Sequence, residues 1–360
     1  MKRSIVNQMM IAFLTAGLGI AGMSGCGAAG NESVSEASAE TANSEAANSE
    51  ASVEAADSNA TDRIAEKEST ETSPVGEASS LQFTFTDDLG REIIMEKPQR
   101  VAVLNASYGE IWALAGGADT LVGVSSNTWT DVDIPLGDDV VDLGPAHEIS
   151  LEKLLSCEPD LVLASSDITK DVENLEIYEK AGLNVVYFGA TDYTDYLRML
   201  KVCTDLTGCE ENYAAYGTTM EQQITKALEK ADGQSPKVLY VRATTGGVKV
   251  KNSEGTVLGE MLKDLGCVNI ADTEESLLEE LSMEKIIEQD PDFIFAVYMG
   301  KDTDEIEKQM EQNLFSNGAW STLTAVKENR YFLMESELYN LKPNHRWGEA
   351  YEKLAGILYE

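Results

Sequence analysis

Two stretches of this chain repeat one another: ISLEKLLSCEPDLVLA at 149–164 and LSMEKIIEQDPDFIFA at 281–296 align without gaps at an offset of 132 residues, with Ser, Glu, Lys, Pro, Asp and Ala at matching places. Each copy reads as a helix followed by a strand. Ser150 or Ser282 can cap the helix, Glu152 or Glu284 sits in its first turn where a carboxylate meets the positive end, and Pro159 or Pro291 stops it before the apolar run. Two such units predict two like lobes.

The surrounding sequence keeps the same rhythm. Short, apolar, β-branched strands are expected at 101–104, 121–124, 160–164 and 184–188, with helices between them at 108–116, 150–156 and 171–181. After Pro236 the rhythm resumes with strands at 237–242, 267–270, 292–297 and 330–334 and a final helix at 345–358. Between the two series, Tyr193 to Lys230 is helical in character and free of proline, with Gly208 as a candidate kink. Ahead of everything, LQFTFTDDLGREIIMEKPQ alternates about Asp88-Leu89-Gly90 and predicts a β-hairpin. The fold class is therefore α/β: two Rossmann-like lobes with parallel sheets, at 81–192 and 232–360, joined by a single long interlobe helix at 193–231.

Residues 1–25 place Lys2 and Arg3 before an apolar run around Met9 to Ile20 and end in Met23-Ser24-Gly25. This is the layout of an export signal. The run is shorter than the roughly 20 apolar residues of a spanning helix. With Cys26 it resembles the lipobox of bacterial lipoproteins, which implies a diacylated Cys26 at the mature N-terminus and anchorage on the extracytoplasmic face of the cell membrane. Residues 27–80 are Ala, Ser, Glu, Thr and Asn with few large apolar side chains, so they are expected to form a disordered tether reaching about 40 Å as a Gaussian chain.

The chain carries −36 overall. Twelve acids against Arg63 and Lys67 put −10 on 27–80, and setting aside also the +2 of Lys2 and Arg3 leaves −28 on 81–360. Such a field repels nucleic acid. Cys157, Cys203, Cys209 and Cys267 show no metal-site spacing, and unpaired buried thiols are expected in preference to a Cys203–Cys209 disulfide.

FTDDLGREIIMEKPQRVAVLN, EIWALAGGADTLVGVS and SLEKLLSCEPDLVLA, with RYFLMESELYNLKPNHRWGEAYEKLAGILY at the end, resemble the iron-siderophore and vitamin B12 class of ABC-transporter substrate-binding proteins over about 81–360. The resemblance implies a rigid interlobe helix and a ligand cleft between the lobes. It also implies a monomer without intrinsic cofactor, and partners in a permease and its ATPase. The cargo it implies is a ferric siderophore foremost, or heme or a cobamide. It further implies docking on the permease through an acid on each lobe. Glu152 is the N-lobe candidate; in GEMLKDLGCVNI the aligned position is Lys263, so Asp264 or Glu260 must substitute.

Ligands of open α/β sheets lie at the carboxyl ends of the strands. That places Asn105, Tyr108, Trp129, His147 and Ser166 at the N-lobe rim and Arg242, Tyr298, Glu335 and Tyr339 at the C-lobe rim. Arg242, ending the apolar run VLYVR, can pair with anionic oxygens of a ferric chelate or close an internal salt bridge. Trp129 and Tyr108 can stack on a flat ligand or serve as lids. His147 can ligate heme or cobalt, while His345 suits capping and packing.

Only two histidines are present, too few for the imidazole-rich site of a bare transition-metal binding protein. No G-x-S-x-G, P-loop, H-E-x-x-H or G-x-G-x-x-G at a strand–helix turn occurs, so no enzyme is expected. The alternatives are a surface sensor or adhesin on the same fold, or a bare transition-metal binding protein.

Overall fold

The structure is a computed structural model that describes residues 82–231 and 233–360. The expected signal, the lipidated Cys26 and the acidic tether lie outside the described residues. Everything described falls in one compact unit, Val75–Glu360.

The chain enters through an antiparallel hairpin, β1 (Phe83–Thr86) and β2 (Glu92–Met95). The buried carboxylate of Asp87 builds its turn by accepting the N–H groups of Leu89 and Arg91 at 3.1 and 3.0 Å. Arg91 then donates to the Val185 carbonyl at 2.6 Å and ties the hairpin to the edge of the first sheet.

That sheet is all parallel. β3 (Val101–Val103), β4 (Leu121–Val124), β5 (Val141–Asp142), β6 (Leu161–Ser165) and β7 (Val185–Phe188) run in the order β5-β4-β3-β6-β7. Every residue of β3, β6 and β7 is buried, as parallel strands covered on both faces must be.

The second sheet contains β8 (Lys237–Thr244), β9 (Gly247–Lys251), β10 (Val268–Asn269), β11 (Phe293–Tyr298) and β12 (Tyr331–Met334). Its parallel path is β10-β8-β11-β12, and β9 folds back antiparallel along the carboxyl half of β8. The hairpin partner β9 and the two-residue β5 were not among the expected strands.

Between the sheets the chain is helical from Tyr193 to Thr207 and again from Glu210 to Leu228. Gly208 divides the two at φ 74°, its N–H donating to the Thr204 and Asp205 carbonyls, so the connector bends where glycine is the one residue without a Cβ penalty. The final helix, Trp347–Tyr359, lies against the second half of this connector. Gly348 permits the approach: a Cβ there would stand 2.3 Å from the Gln223 amide oxygen.

One core joins both sheets through the connector, with Val101, Tyr108 and Trp112 at one end, Met220 and Ile224 in the middle, and Tyr240, Trp347 and Tyr351 at the other. The opposite faces have separate cores, around Ala102, Leu104 and Val162 in the first sheet and Leu239, Val241 and Ile294 in the second. Neighbouring residues of a strand therefore enter different cores, the period-two consequence of the pleat.

Candidate functional site

In the first sheet the chain starts at β3, builds outward through β4 to β5, then crosses to β6 and β7; in the second it starts at β8 and crosses to β11 and β12. The order thus reverses between β3 and β6, and between β8 and β11. At such a reversal the adjacent connections leave on opposite faces and open a crevice at the carboxyl ends of the strands.

The two lobes also touch directly. The segment that leaves the carboxyl end of β12 crosses to the first lobe, where Lys342 Nζ lies 2.8 Å from an Asp167 oxygen just past β6. Asn344 donates to the Ser107 carbonyl at 3.0 Å and to the Glu110 carboxylate at 2.5 Å, on the helix Ala106–Trp112 that follows β3. Asn344 is fully buried at φ 49°, a left-handed conformation that asparagine tolerates better than most residues. His345 Nδ1 stands 3.5 Å from Glu110, and its ring meets Tyr216 edge to face, so it packs between lobe and connector.

On the first lobe, Asn105 caps the helix after β3, its side-chain Oδ1 accepting the N–H and the hydroxyl of Ser107 at 3.1 and 2.9 Å. Ser166 is half-buried just past β6, and Gly189 leaves it room: a Cβ at 189 would come within 3.2 Å of the Ser166 and Asp167 side chains. Trp129 is 46% exposed on the single turn Thr128–Asp131, and His147 is exposed as well. Beneath the rim, Asp171 is buried; its carboxylate accepts the Ser165 N–H at 3.0 Å, and burial pushes its pKa up to about 6, against the pull of that bond and of His147.

Two expected ligand contacts are corrected. Tyr108 is fully buried, its hydroxyl donates to the Phe188 carbonyl at 2.5 Å, and Lys342 Nζ covers its ring at 5.3 Å. Tyr339 is also buried, donating to the Ala350 carbonyl at 3.0 Å. Both lie in a short helix beside a strand end, and the helical period turns them toward the core rather than the crevice.

On the second lobe, Arg242 lies two residues before the end of β8 and Tyr298 ends β11, the two strands that flank the reversal, and they fall on opposite faces. Tyr298 packs with the core of Leu239 and Val241, whereas Arg242 shares the face of Tyr240, to whose hydroxyl it donates at 3.2 Å. The internal salt bridge weighed for Arg242 does not occur among the described residues, and its buried Nε has no hydrogen-bond partner. Directly opposite Arg242 on β9 is Lys249, and opposite Tyr240 is Lys251. Neither lysine was singled out in the sequence. The signal was VKVK after Gly246-Gly247, a short alternation behind a turn. Glu335 is exposed and engaged with Lys353 at 3.1 Å.

Of the acids expected to face a permease, Glu152 is exposed in the first turn of Leu151–Ser156. Glu260 accepts the Gly255 N–H at 3.0 Å, and Asp264 accepts the Tyr351 hydroxyl at 2.6 Å. Cys157, Cys203, Cys209 and Cys267 are free thiols, and burial pushes Cys267 up to about 12.

A protein-family model described as periplasmic binding protein matches residues 101–338. An uncharacterized ABC transporter substrate-binding lipoprotein of Bacillus subtilis, YvrC, is 23% identical over 299 residues, covering 81% of this chain and 88% of the relative. The structure of Staphylococcus aureus IsdE complexed with heme is similar at TM-score 0.59 and 19% identity, covering 72% of this chain and 99% of that one. That of Staphylococcus aureus SirA complexed with staphyloferrin B is similar at TM-score 0.57 and 21% identity, covering 77% and 97%.

Proposed function

The chain belongs to the periplasmic binding protein family, and on that premise we propose that it is the solute-binding component of an ABC importer, anchored through Cys26 on the outer face of the cell membrane, capturing a metal chelate for a permease. A ferric siderophore is the foremost cargo, with heme and a corrinoid as the close alternatives. The observation that carries this reading is a strand-order reversal in each lobe, with the segment Lys342–His345 crossing from the second lobe to the first. Two such crevices enclose a ligand from both sides, and a core continuous through the connector favours small changes of lobe angle over a wide hinge. A preassembled chelate needs no protein ligand to its metal. It needs polar edges and flat or charged surfaces, which Asn105, Ser166, Trp129, His147 and Arg242 supply around the rim.

The lobes at 81–192 and 232–360 and the connector at 193–231 are the working parts of this reading, with Glu152 on one lobe and Glu260 or Asp264 on the other meeting the permease. Glu152 is the readier of the three, because the C-lobe acids must first release Gly255 or Tyr351.

Native mass spectrometry of the full chain, offered ferric siderophores, heme, cobalamin and free divalent metals together, tests the reading. One retained chelate or corrinoid per monomer is the expected result. Retention of a bare metal alone, or of nothing, would discard it in favour of a metal-binding or sensor role.

A further inference from the structure

The segment that crosses from β12 to the first lobe makes two kinds of contact, two residues apart. Asn344 is fully buried, and its amide donates to the Ser107 carbonyl at 3.0 Å and to the Glu110 carboxylate at 2.5 Å. Lys342 is partly open to water: its Nζ stands 2.8 Å from Asp167 Oδ2, with the lysine side chain 20% and the aspartate side chain 40% exposed. Hydrogen bonds between buried groups are costly to break because the parted groups stay dry, whereas a half-exposed ion pair exchanges its partner for water. Asn344 is thus the fixed point of the crossing, and Lys342–Asp167 is the contact that can open.

Asp167 gives that contact its reach. The same Oδ2 accepts the Ala190 N–H at 3.2 Å, in the loop that runs from β7 into the first connector helix, Tyr193–Thr207. Three successive N–H groups of that loop go to carboxylates: Gly189 to Asp88 at 2.5 Å, Ala190 to Asp167, and Thr191 to Asp195 at 3.1 Å. Arg198, on the connector helix, pairs with both Asp88 and Asp195. Asp167 therefore ties the lysine of the second lobe to the place where the connector leaves the first. Lys342 Nζ also lies 5.3 Å from the centre of the Tyr108 ring. One ammonium group thereby touches the helix after β3 and the loop after β6, the two sides of the first lobe's reversal.

We propose that Asp167 and Lys342 are a positioning pair for the solute-binding reaction: they set the angle between the lobes and, by holding it, slow the escape of cargo. The cargo step rests on the reading above, while the setting of the angle does not. A bridge beside a fixed point limits rotation about that point. Once the bridge is lost, the core that continues through the connector still confines the lobes, so the added motion is small.

The test uses the full chain in detergent. Spin labels on Thr130→Cys and Lys301→Cys, exposed positions on the first and second lobe, report the interlobe distance by double electron–electron resonance in a Cys209→Ser background. Cys157 and Cys203 are buried and the Cys267 thiol is pushed up to about 12, so they stay unlabelled. Wild type is expected to give one narrow distance without any cargo. K342Q, and D167N, which keeps an oxygen for the Ala190 N–H, should each broaden that distance and shift it by about 2 Å. K342Q/D167N should go no further than either alone, because both remove one interaction, and K342R should stay with wild type. Melting temperatures near that of wild type in all four variants separate a changed angle from lost folding.

Release and uptake of hemin, a ferric trihydroxamate and cyanocobalamin are then followed by stopped flow on unlabelled chains. For any probe that binds, K342Q should raise koff about 10-fold with kon unchanged. An unaltered distance in K342Q and D167N overturns the proposal, and so does an unaltered koff or a loss that falls on kon. Binding of none of the three probes counts against the chelate reading alone, and the distance measurement still decides the positioning role.

Discussion

The two copies of the repeated unit fold alike. Ser150 and Ser282 each cap their helix by accepting the N–H three residues on, from Lys153 and Lys285. Glu158 and Asp290, at the same place in the repeat, both take a left-handed conformation, at φ 47° and 41°, so that Pro159 and Pro291 can start the turn into β6 and β11. Beyond the unit, the lobes part. The first sheet ends in two parallel edge strands, while the second gives up one outer place to the antiparallel β9 and so gains a hairpin bearing three cations. A buried acid, Asp171, lies under the first rim, whereas Asp302, which caps the corresponding helix after β11, is exposed. Shared local sequence thus produced a shared scaffold, and the differences sit where the strands end, which is where a cleft is lined.

The likeness of the scaffolds is broken most severely in the core. Leu163→Ala in β6 and Phe295→Ala in β11 each remove a fully buried side chain from the core that joins the lobes, and each should lower unfolding free energy by about 3–5 kcal/mol. Because that core is continuous, chemical denaturation followed by circular dichroism and by tryptophan fluorescence should give one coincident transition in both variants. Separate transitions would mean that the lobes are independent.

The difference beneath the rims is sharpened by pH. The carboxyl of Asp171 has its pKa raised from 3.8 to about 6, so the folded state binds the proton more tightly than the unfolded one. The group therefore favours folding fully below about pH 4, and that contribution is lost as pH rises toward 6. Asp171→Asn keeps an oxygen for the Ser165 N–H and should stabilise the chain by about 1–3 kcal/mol at pH 7.5 and by about half as much at pH 5. Urea midpoints at the two pH values decide it, and equal gains at both would remove burial of the charge as the cause.

The smallest effect tests the identity of the repeats. Ser150→Ala and Ser282→Ala each remove one cap and should cost about 1 kcal/mol, equal within a few tenths. A clearly larger loss in one would show that its helix carries lobe-specific contacts beyond the cap.

Much of this architecture was legible in the chain. The repeat and the two series of apolar strands stand within a residue or two of the expected bounds, because helix caps, prolines and hydrophobic runs act locally, while the connector, expected as one helix, is divided at Gly208 and ends at Leu228. The two-residue β5 has no pattern to read, and in β9 the two lysines of GVKVK disguise a strand as a charged turn. At the rim, Arg242 was visible as one charge in an apolar run. Tyr108 and Tyr339 were misplaced because nearness to a strand end does not say which way a helix turns its side chains.

The sequence alone determined most of the elements, their order and the kink at Gly208, since each of these follows from hydrogen bonds and periodicities within a few neighbouring residues. Only the tertiary structure decided which strands lie side by side and on which face their residues fall. That register brought Lys249 across from Arg242, turned Tyr298 away from it and carried Lys342 over to Asp167. These pairings join residues between 7 and 175 positions apart, and they depend on how the sheets twist and pack as wholes, which no short stretch of chain encodes.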